Sequence, residues 1–152
     1  MSDENLNEEI EVNTDPDPEP TPTPEPEPLP PDTKNSILTT VKKSLGLSPD
    51  YPPFDEEIIM DINTVLGVLN QLGVGVLGYT IEDNTATWSD FLANEIEKGI
   101  TLNEVKTFVC KRVQLLFDPP TSGIHMDALK QVISELEFRI NAAVETPFTE
   151  GV

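Results

Sequence analysis

Enzymes need a nucleophile, a proton carrier, a metal cage or a phosphate cradle, and four places in this sequence offer one on paper. His125 is the only histidine and Cys110 the only cysteine. A catalytic histidine needs a nucleophile or an orienting carboxylate within reach. Cys110 instead falls inside an apolar helical pattern, and no G-x-S-x-G, zinc-ligand spacing or phosphate loop accompanies either residue. The acids Asp55, Glu56, Glu57 and Asp61 suggest a cation site, but no liganding loop follows them. Helix capping and the helix dipole account for most of that cluster. The segment GVGVLG, residues 73–78, matches the dinucleotide pattern G-x-G-x-x-G. That motif works only with a strand before it and a helix after it, so that the helix N-terminus meets pyrophosphate. Here a helix comes before and the short, turn-rich YTIEDNT comes after, so the context is inverted. The residues therefore point to no catalysis, no cofactor and no metal.

The elements that would have to position such groups read as helices. In SILTTVKKSL, residues 36–45, Ile37, Leu38, Val41 and Leu45 share one side. Ser36 is a candidate cap, and Gly46 is placed to end the helix in the left-handed conformation. Lys42 and Lys43 lie where cations favour the dipole. In FDEEIIMDINTVLGVLNQLG, Asp55 is the expected N-cap, and Phe54 and Ile59 the expected staple. Ile58, Ile62, Val65, Leu69 and Leu72 form the core stripe, and Gly73 ends it. The glycines that follow predict a loop or a small β-hairpin. Thr87 is placed to cap a helix in WSDFLANEIEKG, with Trp88 and Phe91 turned inward.

Residues 101–117 open with a T-x-x-E capping box, Thr101 and Glu104. Leu102, Val105, Phe108, Val109, Cys110, Val113, Leu116 and Phe117 cover most of that helix, which predicts a position central to a core or buried in an oligomer. In LLFDPPTSG, residues 115–123, Asp118 precedes a proline and so is pushed out of the helical region. Pro119 and Pro120 remove two backbone donors and stiffen the corner, and Ser122 is placed to cap the last helix. There Met126, Leu129, Ile133, Leu136, Ile140 and Ala143 follow steps of 3, 4, 3, 4 and 3, a coiled-coil-like seam. Val132, Phe138 and Val144 add a second apolar edge. The pattern alone leaves open whether both edges face one core or one of them faces a neighbouring subunit.

Charge divides the chain. Of its 28 acids, 11 lie in residues 1–33, where no Lys or Arg occurs, leaving 17 acids against all 9 bases in the remainder. Alternate prolines in DPDPEPTPTPEPEPLPP, residues 15–31, deny both helix and ladder hydrogen bonding. Residues 1–34 therefore read as a disordered acidic, proline-rich tail, serving either as a solvating spacer or as a ligand strand for a basic groove. A surface this acidic repels phosphate, which argues against sequence-specific nucleic-acid binding. One cysteine cannot make an internal disulfide, no signal peptide opens the sequence, and no stretch reaches the apolar length of a membrane span. A soluble protein made in the cytoplasm is expected.

These segments also carry a family likeness. NSILTTVKKSLGL, FDEEIIMDINTVLGVLNQLGVG, TWSDFL, VKTFVCKRVQLLFDPPTSG and ISELEFRIN together resemble the head–tail connector, or adaptor, proteins of tailed bacteriophages, often labelled DNA-packaging proteins. The likeness covers roughly residues 35–145, and the FDPPTS turn followed by ISELEFRIN is its most specific part. The acidic tail lies outside the pattern. The resemblance implies an all-α bundle of four to five helices over 35–145, assembled as a homo-oligomeric ring, commonly a dodecamer. Such a ring sits beneath the portal protein of a DNA-filled head in the virion and docks a tail or stopper protein. It also implies that DNA passes through without sequence-specific binding, and that the C-terminal segment 146–152 grips the portal with Phe148 as its anchor. A different class of function fits the residues too: a monomeric acidic helical binding module whose proline-rich tail recruits a basic partner.

Overall fold

The computed structural model describes residues 35–93 and 101–146. The acidic tail, the second half of the helix expected from Trp88 onward, and Phe148 lie outside the described residues. Among these residues there are five α-helices: α1 (Ile37–Ser44), α2 (Asp55–Gln71), α3 (Trp88–Leu92), α4 (Leu102–Phe117) and α5 (Gly123–Glu145). A single 3-10 turn, Pro52–Phe54, leads into α2. No strand occurs among the described residues, so the glycine segment is a loop and not a hairpin.

Side chains fix most helix starts. Ser36 accepts from the Thr39 amide, Thr87 from the Asp90 amide, and Thr101 from the Glu104 amide. The capping box closes through the Thr101 hydroxyl, which donates to Glu104 Oε2 at 2.8 Å. Two starts differ from expectation. Phe54 occupies the N-cap position of α2, because the 3-10 turn brings the chain in already coiled and makes Asp55 the first helical residue. Ser122 is the N-cap residue of α5, but its hydroxyl makes no capping bond; its carbonyl accepts from the Met126 amide instead.

α4 is the central helix and packs against α1, α2 and α5. Its buried residues, Val105, Phe108, Val109 and Val113, join Ile58, Ile62, Val65, Leu66 and Leu69 of α2 and Ile37, Leu38 and Val41 of α1 in one core. Trp88 and Phe91 are fully buried there too, and the indole N–H donates to the Thr40 hydroxyl at 3.1 Å. Leu116, expected to be covered, is exposed beside the corner.

Lys42 is the sharpest departure. Its side chain is only 1 % exposed, and its ammonium donates to the carbonyls of Pro49 and Tyr51 and lies 2.6 Å from Asp55 Oδ1. A buried cation is tolerated only when its charge and donors are satisfied. The two carbonyls and the carboxylate do that, and they tie the α1–α2 connection to both helices.

The loop after α2 is held by two carboxamides. Asn63 clamps Ile81, donating to its carbonyl at 3.0 Å and accepting from its amide at 2.8 Å. Asn70 donates to the carbonyls of Val74 and Val76 and accepts from the Gly78 amide. Gly73, Gly75 and Gly78 all have positive φ. At Gly75 the need is double, since a Cβ there would sit 2.3 Å from the Phe91 ring.

Candidate functional site

The double-proline corner positions α5 against α4. Asp118 leaves the helical region at φ −140°, and its amide makes the last helical bond, to Gln114. Five residues then turn the chain into α5. Ion pairs Arg112–Glu137 at 3.3 Å and Arg139–Glu104 at 4.0 Å cross between the two helices. Exposed pairs of this kind contribute little each, so the packing rests on the apolar seam.

Along that seam Leu129, Ile133 and Ile140 are buried, while Met126 and Leu136 are half-buried. The second edge divides. Val144 packs near Gly73, within 3.0 Å of where a Cβ on that glycine would stand. Phe138 is 74 % exposed, Ile124 81 %, and Val132 is also exposed. On α2 and the glycine loop, Met60 is 67 % exposed and Leu77 87 %, beside exposed Val76. The chain thus carries two sets of uncovered apolar side chains on different elements. The sequence pattern marked Val132 and Phe138; it gave no sign of Ile124, Met60 or Leu77.

The groups that suggested chemistry are not brought together. His125 is exposed at the start of α5. Cys110 is largely buried on α4, and burial pushes its thiol above the ordinary 9.0, against weaker opposing pulls from the Ser44 hydroxyl and from Lys111 and Lys106. Such a thiol is a poor nucleophile at neutral pH. Asp61 is raised by partial burial and by repulsion from Glu57. Asp55 is engaged with Lys42. Among the described residues no three His, Cys, Asp or Glu side chains gather in a way that would hold a metal ion. No described helix is long and apolar enough to cross a membrane.

Two shallow grooves flank α4. One, of about 290 Å³, lies toward α1 and is lined by Thr40, Ser44, Lys106, Thr107, Cys110 and Lys111 with Gln114. The other, of about 260 Å³, lies toward α5 and shares Lys111 and Gln114, with His125, Leu129 and Val132 among its remaining walls. No Asp or Glu lines either one.

The described body is all-helical and leaves several large apolar side chains uncovered. Comparison with known families matches one described as Phage connector protein, over residues 37–147. No curated protein and no solved structure gives a significant match. The matched span takes in all five described helices and the double-proline corner, and covers well over half of the chain. The chain belongs to the phage connector proteins, a structural family whose members associate with other head and tail proteins.

Proposed function

We propose that this chain is a head–tail connector subunit that assembles as a ring of about twelve copies, extends the DNA channel beneath the portal, and docks a tail or stopper protein. The observation that carries this reading, beside family membership, is the pair of exposed apolar sets: Ile124, Val132 and Phe138 on α5, and Met60, Val76 and Leu77 on α2 and its loop. A ring needs head-to-tail contacts between two unlike surfaces. Two different apolar edges, each left uncovered by a closed core, meet that requirement. A net negative body suits a wall past which DNA must slide without sticking. In this reading residues 35–145 are the connector domain, residues 146–152 dock the portal through Phe148, and the seam Met126, Leu129, Ile133, Leu136 and Ile140 orients α5 so that its outer edge meets the neighbour.

Native mass spectrometry of the protein mixed with its portal tests this. The expected result is a portal-bound ring of many copies. A single bound copy, or no binding, would overturn the reading and favour a monomeric binding module.

A further inference from the structure

Both grooves beside α4 are lined without acids, in a molecule that is acidic as a whole. The first is lined by Lys106 and Lys111 with Thr40, Ser44, Thr107 and Cys110, the Lys106 ammonium standing 6.0 Å from the centre of the Trp88 ring, and Gln114 and Lys111 continue it into the second. Among the described residues, neither lysine has an ion-pair partner, and the Gln114 carboxamide makes no hydrogen bond. The Thr40 and Ser44 hydroxyls are already committed as donors, to the Ser36 and Val41 carbonyls. What the groove still offers is therefore cationic and amide donors, matched to a strand rich in carboxylates and carbonyls.

The chain itself contains such a strand. Residues 1–33 carry 11 acids and no base, and residues 15–31 alternate with proline. Alternate prolines deny helix and ladder hydrogen bonding, so carbonyls in such a sequence are open to donors from elsewhere. It enters the body at Asn35, one residue before the cap of α1. Thr40 and Ser44, which wall the groove, lie only about 5 and 11 Å along that helix from Ile37 at 1.5 Å per residue. Residues 15–31 alone would span about 50 Å as polyproline II, ample to turn back and run along α4. Tethering also raises the local tail concentration to roughly the millimolar range.

We propose that the acidic tail, residues 1–33, docks in cis in the Lys106–Lys111–Gln114 groove of its own chain. The contact is electrostatic and shallow, so it covers the groove and yields to salt or to a more acidic competitor. It is independent of whether the protein forms a ring.

Zero-length carbodiimide cross-linking of the full-length wild-type protein, read by peptide mass spectrometry, tests this. Lys130, exposed on α5 and no part of either groove, is the internal reference. The expected result is that acids of residues 1–33 join Lys106 and Lys111 at least fivefold more often than Lys130 in low salt, with the excess lost near 1 M salt, where screening is within about 3 Å. Equal yields at all three lysines would overturn the proposal. An equimolar mix of light and heavy-isotope protein supplies the second arm. Cross-links that stay within one isotope support docking in cis. Mixed-isotope links in statistical proportion would overturn it and assign the groove to a neighbouring copy's tail.

Discussion

α4 and α5 are joined by one stiff corner and have similar apolar content, yet they are used differently. α4 is enclosed by three helices, and its exposed remainder is mainly charged and polar. α5 rests on α4 along one edge and leaves Ile124, Val132 and Phe138 in water. An enclosed helix spends its apolar surface on folding, whereas a half-covered one keeps a portion for association. Apolar side chains scattered singly over a surface need no explanation. Ile124, Val132 and Phe138 lie on one helix, outside its buried seam, and are the contact surface in the ring we propose.

Substitutions should separate the two helices. The largest effect is expected from Val109→Asp on α4, where burial is complete. An unpaired buried carboxylate should cost more than about 4 kcal/mol, most of the stability of a domain this size, so circular dichroism should show loss of the cooperative transition. Ile133→Asp, on the core edge of α5, should follow at about 3–4 kcal/mol, because a residue near the helix surface gains partial hydration. Urea titration would rank the two, and equal costs would erase the contrast. Phe138→Asp should alter stability by less than about 0.5 kcal/mol while abolishing assembly, read as native mass in the presence of portal. If Phe138→Asp unfolds the protein instead, the outer edge of α5 is core and the comparison fails.

Titration sharpens the same contrast on the α4 side. The Cys110 thiol is raised by burial in the folded state, so the folded protein holds that proton more tightly than the unfolded chain. The associated stability is fully present below the unfolded thiol value and drains away as pH rises through the folded one. Wild type should therefore lose stability relative to Cys110→Ala as pH climbs above about 9, measured by urea midpoints across pH. The smallest effect is expected at His125→Ala, since the ring is exposed: stability and assembly should both be unchanged. Loss of infectivity with rings intact would give that histidine a role the fold does not explain.

The local parts of the fold were legible in the sequence. Ser36, Thr87 and Thr101 cap where a hydroxyl or box signature placed them, and Gly46 and Gly73 take the left-handed conformation expected at helix ends. Trp88 and Phe91 turn inward as their spacing indicated. These features depend on neighbours within a turn or two. Interactions reaching across the chain were not legible. Lys42 read only as a cation placed to favour a helix dipole, because nothing local reveals that Pro49, Tyr51 and Asp55 would close over it. Asn63 and Asn70 look like ordinary polar positions on a helix, yet they hold backbone groups up to 18 residues away. The cationic groove was invisible for the same reason, as it takes α1, α4 and α5 to assemble it.

One stitch near the start of the body has a mechanical meaning. Ser36 pairs antiparallel with Thr87, the Ile37 amide bonds the Ala86 carbonyl, and the Trp88 amide bonds the Asn35 carbonyl, each at 3.0 Å, with Asn35 also reaching Ser89. Any load arriving through the N-terminal segment meets these bonds before it reaches α1. Behind them stands the Trp88 indole, locked to Thr40 in the interior. A pull on Asn35 would thus pass into the bonds with Ala86, Trp88 and Ser89, and through them into the interior, without prising the first helix loose.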